Sequence, residues 1–491
     1  MIAAYGSWNS LISAGMVAAG RTPLDQPRLW SEDVYWIEGR PLEGGRSVIM
    51  RRDGAGGIEQ LTPEGFNVRT RAHEYGGGAY AVHGQTVFFV NDADQQLYRQ
   101  EVGGSPEAIT AEEGARYADM CVSADGERIV CVRERHMEGR EAVNEVVMVE
   151  VGAPPSPRGR GLTTVIASGR DFYSFPRLSP DGRRLAWTCW DHPNMPWDGT
   201  ELWVADADGA NTRLVAGGAE ESIFQPGWSP DEALHWVSDR GGWWQLYREG
   251  ELLLALEAEF GTPQWVFGMS TYGFLEDGRL GCLWSKDGFD HLGVVDAGGQ
   301  LHELQLAYTA FSPNLQVSGR RLAFIAGSPA EAAALVLLDV DSGQIEVVRR
   351  SVEQQVDAGC VAAARPIEFP TDGGKMAHAL FYAPVNQDFE APAGALPPLL
   401  VLSHGGPTSQ TKAAFDLSIQ FWTSRGFGVI DVNYGGSSGF GREYRQRLNG
   451  QWGIVDVADC ANAARWLAEQ GEVDGRRLAI RGGSAGGYTT L

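Results

Sequence analysis

Along residues 26–364 the hydrophobic positions fall into one recurring order: a short apolar strand, a tight polar turn, then a second apolar strand. Copies lie at Val34–Gly39, Tyr80–Phe89, Met120–Val132, Pro176–Trp187, Pro226–Trp236, Tyr272–Leu283 and Leu315–Phe324. Their spacing of about 40 to 55 residues is that of four-stranded propeller blades. Further strands between copies, at Gln96–Arg99, Glu201–Ala205, Gln245–Arg248 and Ala334–Asp339, supply the third strand of a blade. Asp-Gly and Ser-Gly at the turns allow the positive φ that tight hairpins need. Seven copies predict an all-β seven-bladed propeller over 26–364, after an N-terminal extension at 1–25.

Around Arg365 the period changes. Ile367–Pro370 and Ala379–Pro384 read as paired strands, followed by a Pro-, Ala- and acid-rich linker, Asn386–Pro397. Pro398–Ser403 and Phe427–Asn433 are continuous apolar runs, as expected of strands buried on both faces. A helix is predicted over Asp456–Gln470, with Val457, Cys460, Ala461, Ala464 and Leu467 on its inner stripe. Arg477–Arg481 reads as another buried strand. Residues 365–491 thus form an α/β sheet domain.

Composition narrows the function. The 491 residues are 43% hydrophobic and 21% charged, as in a globular protein. A net charge of -23 disfavours nucleic acid and anionic membrane surfaces as partners. The N-terminal segment shows no signal-peptide pattern, and no apolar run is long enough to span a bilayer. Six cysteines stand without C-x-x-C spacing, which favours buried thiols over disulfides or a metal and makes the cytoplasm the expected location.

The chemistry is concentrated near the end of the chain. Gly482-Gly483-Ser484-Ala485-Gly486-Gly487 follows an apolar strand and precedes a run of small residues. Strand, G-x-S-x-G, helix is the nucleophile elbow of an α/β-hydrolase, with Ser484 the candidate nucleophile on a strained turn. Bulkier residues at Gly482 or Gly486 would collide with the neighbouring strand and helix. Upstream, His404-Gly405-Gly406-Pro407 follows the buried strand ending at Ser403. Its glycines leave backbone N–H groups free to face a substrate oxygen, so the expected oxyanion donors are the amides of Gly406 and Ala485. Weaker candidates are Glu74 or Glu220-Glu221 as holders of a substrate amino terminus and Trp243-Trp244 as a platform. A structural turn or blade-core role is the preferred reading of each. His73, His192 and His291 lack metal-ligand spacing.

His404-Gly-Gly-Pro407, the segment Asp431–Arg442, Trp452-Gly453 with Asp456, and Gly482–Gly487 together resemble the prolyl oligopeptidase family of serine peptidases. The nearest branch is the acylaminoacyl-peptidase and dipeptidyl-aminopeptidase-like one. The resemblance implies a propeller capping a hydrolase domain, cleavage of short peptides through an acyl-enzyme, and no cofactor. It allows a homo-oligomer. It also implies the chain order Ser, Asp, His, which keeps the upstream His404 and Asp456 out of the triad. The triad Asp and His are therefore expected beyond Leu491, and these residues are expected to form an inactive fragment of a longer product. A carboxylesterase and a non-catalytic propeller interaction protein remain the alternatives.

Overall fold

The computed structural model describes residues 1–19, 21–152, 163–352 and 356–491. Among these residues, seven antiparallel sheets span 24–60, 80–108, 115–168, 172–218, 223–252, 272–303 and 310–350, and are numbered blades 1 to 7. Each blade is a meander of sequential strands, and in blade 7 the first strand is split into Ala310–Phe311 and Gln316–Ser318. The seven hydrophobic repeats supply the first and second strands of the blades. In blade 1 the matching run, Val34–Gly39, falls on the second strand, Asp33–Arg40.

First strands of neighbouring blades contact one another around the propeller axis. In blades 1, 3, 4 and 5 these strands carry a bulge with a left-handed residue: Gln26 (φ 48), Asp119 (φ 57), Phe175 (φ 51) and Gln225 (φ 48). The bulges turn side chains toward the next blade. Gln26 Oε1 accepts from Ala79 N at 3.2 Å, Asp119 Oδ2 from Phe175 N at 2.8 Å, and Gln225 Oε1 from Thr271 N at 2.6 Å. The ring closes without exchange of a strand between its ends. Val34, Trp36, Val48 and Met50 of blade 1 pack on Ala323, Ile325, Leu335 and Leu337 of blade 7. Arg52 pairs with Glu346 at 2.7 Å and Arg349 with Glu38 at 2.9 Å across the same seam.

Beyond the propeller lies one mixed sheet. Its edge-to-edge order is Ala364–Pro370, Met376–Tyr382, Gly428–Asn433, Leu399–Ser403, Leu478–Gly482. The first three strands pair antiparallel and the last three parallel. Helix α1 (Ala14–Ala19) packs on α2 (Leu417–Thr423), while α3 (Gly441–Gln446), α4 (Val455–Glu469) and α5 (Ala485–Thr490) complete the domain. The residues before the propeller thus belong to this body. Ile2 bridges Glu390, Gly6 N donates to Arg425 O at 3.0 Å, and Ile12 is fully buried. Where the chain enters the propeller it runs beside the point of return, Thr22 N donating to Ser351 O at 2.9 Å.

Two expectations need correction. The inner stripe of α4 holds Asp456, Asp459, Cys460, Ala463, Ala464 and Leu467, whereas Val457 is exposed. The two carboxylates are buried because each has donors: Gly453 N and Thr489 Oγ1 for Asp456, Gly435 N and Thr371 Oγ1 for Asp459. The strand Leu478–Gly482 is exposed along its length, since among the described residues it pairs with Leu399–Ser403 alone.

Candidate active site

Ser484 sits between the strand Leu478–Gly482 and α5 at φ 53, ψ −123, an exposed non-glycine residue in left-handed backbone. Its flanking glycines are sterically required. A Cβ on Gly482 would lie 2.3 Å from Gly486 O, and one on Gly486 2.0 Å from Ser403 O. Gly483 has nothing within 4 Å of such a Cβ. Backbone therefore touches backbone at two points of the elbow, and the serine is lifted off the end of the strand Leu478–Gly482. Side chains fasten the bend beneath it: Ser403 Oγ donates to Gly486 O at 2.8 Å, and Thr489 Oγ1 to Asp456 Oδ2 at 2.5 Å.

The His404–Pro407 turn passes beside this bend. A Cβ on Gly405 would lie 3.3 Å from Ser484 Cβ and 3.9 Å from Ser484 Oγ. Gly406 adopts φ 130, open only to glycine. Among the described residues, neither the Gly406 nor the Ala485 N–H is donated to a protein acceptor. The turn is clamped from below. His404 stacks on Tyr434 with centroids 4.4 Å apart, and Tyr434 OH donates to His404 O at 2.9 Å. His404 Nδ1 lies 2.8 Å from Gly405 O, so it carries the proton, and Nε2 accepts from Ser437 Oγ at 2.7 Å. Burial pushes the imidazole down to about 4, so it stays neutral. With both nitrogens committed, His404 is a positioning residue for the turn. Ser437, in the loop Tyr434–Gly439, is a clamp that the sequence did not single out.

The propeller reaches the same turn. Trp265 Nε1 donates to Thr408 O at 2.7 Å. Nearby, a charged cluster ties the two bodies together. Asp239 of blade 5 accepts from Arg442 Nη1 and Arg445 Nη2, both at 2.5 Å, and Arg445 stacks over Trp244 at 4.0 Å. Glu259 accepts from Trp244 N at 2.8 Å and Gly441 N at 3.0 Å. Burial raises its carboxyl to about 6 against the pull of Arg445. Of the other candidates, Trp244 is fully buried blade core, Glu221 accepts from Ser238 Oγ at 2.6 Å, and Glu74 pairs with Arg116 at 2.8 Å. His73, Glu74 and the glycines Gly76 to Gly78 all hold positive φ, making a tight turn. All six cysteines are free, and no described helix is long and apolar enough to cross a membrane.

A serine raised on a glycine-backed strand-to-helix bend, beneath a seven-bladed cap, defines a propeller-capped α/β-hydrolase. Comparison with known proteins narrows this. A profile described as the prolyl oligopeptidase family matches residues 413–491. The whole chain superposes on a puromycin-hydrolyzing peptidase of Mycobacterium tuberculosis with a TM-score of 0.94 and 39% identity, covering 100% of this chain and 78% of that one. Dipeptidyl aminopeptidase BIII of Pseudoxanthomonas mexicana is 38% identical over 109 residues, 22% of this chain and 16% of that protein. Acylamino-acid-releasing enzyme 1 of Oryza sativa subsp. japonica is 39% identical over 93 residues, 19% of this chain and 12% of that protein. The matched segments thus span well under two thirds of these curated relatives. The chain belongs to the prolyl oligopeptidase family of serine peptidases.

Proposed function

We propose that these residues hold the nucleophile of a cytoplasmic peptidase that cleaves short peptides, in the manner of an amino- or acylaminopeptidase. Ser484 Oγ attacks the scissile carbonyl, the amides of Gly406 and Ala485 hold the oxyanion, and water releases the acyl-enzyme. The base is not His404, whose nitrogens are both engaged. The family order puts the base and its carboxylate partner after Ser484, and this chain covers 78% of the solved relative, so activity is proposed for the whole protein. The observation that carries the reading is the exposed, left-handed Ser484 beside two unspent amides. The activities named for the relatives support amide substrates. Six free thiols support a reducing compartment.

The test is hydrolysis of aminoacyl-nitroanilides and short-chain acyl esters by the whole protein. Ser484→Ala should lower turnover by roughly 10⁴- to 10⁶-fold and leave thermal melting unchanged. Turnover of esters alone would make the protein a carboxylesterase. Peptide turnover that survives Ser484→Ala would overturn the assignment of the nucleophile.

A further inference from the structure

A second feature lies on the propeller where Trp265 meets the turn that follows His404. A cavity of about 210 Å³ is walled by the rings of His73, Phe172, Trp190, Trp197, Trp265 and Phe267. We propose that this aromatic pocket is a specificity subsite that takes one bulky aromatic side chain, or aromatic acyl cap, of the peptide substrate. The proposal rests on the peptidase reading for its ligand, and on geometry for its place.

The place follows from Trp265. The same indole that forms one wall donates to Thr408 O, three residues along the turn from Gly405, which abuts Ser484. Three residues span at most about 11 Å, so a short peptide bound at Ser484 can reach the pocket. The volume suits one large side chain and not a folded segment.

Two polar atoms of the aromatic walls are already occupied. Trp265 Nε1 is bound to Thr408, and His73 Nε2 donates to Asn144 Oδ1 at 3.2 Å. Burial lowers the His73 imidazole to about 4, so this wall is uncharged at neutral pH. The rings stand in the edge and face arrangements that aromatic side chains favour: Phe172 and Trp190 stack at 5.3 Å, and His73 meets both edge-on at 5.1 and 5.8 Å. The pocket is also preformed. Its two loops are locked by Phe267 N donating to Gly76 O at 2.8 Å, and a Cβ on Gly77 would lie 2.4 Å from Phe267 O. No conformational ordering is needed on binding.

The rim carries two large apolar side chains left in solvent, Tyr75 at 68% and Met195 at 43% exposure. Tyr75 stands edge-on to Trp265 at 5.8 Å. Apolar groups exposed around a concave aromatic surface mark a place where a ligand covers them.

The test uses calorimetric binding of N-acetyl-phenylalaninamide, N-acetyl-alaninamide and N-acetyl-lysinamide to the chain. It also uses kcat/KM of the whole protein for matched aromatic and alanyl peptides. The phenylalanine derivative should bind, and the aromatic peptide should be preferred. Tyr75→Ala and Met195→Ala, both at exposed positions, should each reduce that preference by roughly tenfold while leaving the alanyl peptide and thermal melting unchanged. Equal binding of the phenylalanine and alanine derivatives, an unchanged preference in both variants, or tighter binding of the lysine derivative would overturn the subsite. If no peptide is cleaved yet the phenylalanine derivative binds selectively, the peptidase reading falls and the pocket stands. Cleavage with no aromatic preference has the opposite meaning.

Discussion

The two walls of the cleft are built on opposite principles. On the α/β side, Ser484 is placed by the absence of side chains: Gly482 and Gly486 let backbone close on backbone at distances that any Cβ would forbid, and Gly405 passes tightly beside the serine. On the propeller side, the contact is made of a large ring and of charges removed from water, Trp265, Asp239 and Glu259. The difference teaches where precision comes from. Backbone contact fixes a reacting atom with no rotamer to lose, whereas packed rings and ion pairs make a surface whose shape can be changed one residue at a time.

Three measurements would break or sharpen that contrast. The largest effect should come from the elbow. Gly486→Ala places a methyl 2.0 Å from Ser403 O and should cost about 4 kcal/mol or more in urea denaturation. Gly483→Ala, with nothing within 4 Å, should change stability by less than about 0.5 kcal/mol. Equal effects from the two would refute the idea that backbone contact sets the elbow.

On the propeller side, Arg445→Met leaves the fully buried Asp239 with one cationic partner and should destabilise by about 3–5 kcal/mol. Arg442→Met, at a more exposed position, should cost less. A reversed order would show that stacking of Arg445 on Trp244 contributes nothing.

The smallest effect concerns pH. Burial holds Glu259 at about 6 against an ordinary 4.5, so between those values the folded protein binds a proton that the unfolded chain has released. Its contribution is fully present below 4.5 and is lost as pH rises through about 6, on the order of 2 kcal/mol. In Glu259→Gln this contribution should be removed, so the change in stability across the window, read from urea denaturation, should differ from that of the unsubstituted protein by this amount. An unaltered change would assign the contribution to another group.

The propeller was legible in sequence because its signal is local and repeated. Each hairpin carries its own turn chemistry and its own apolar alternation, as in Ser179-Pro-Asp-Gly182 between the first two strands of blade 4. The elbow was legible for the opposite reason, because steric demands leave only glycine at Gly482 and Gly486. What stayed hidden depends on partners distant in sequence. Asp456 and Asp459, outside the stripe expected from the sequence, are buried by donors from Thr489, Gly453, Gly435 and Thr371. Asp239 and Glu259 are held by α3, which brings Arg442 and Arg445 against them. No periodicity within one segment reports a neighbour some two hundred positions away.

The side-by-side run of Thr22 and Ser351 has a mechanical consequence. The polypeptide passes between the two bodies twice, and both crossings share one hydrogen-bonded ribbon at the seam where blades 1 and 7 meet. Any swing that parts the bodies must pivot there. Blade 4 lies across the ring from that pivot, so fastenings on its side, the Asp239 pairs of neighbouring blade 5 among them, are loaded before contacts near the seam.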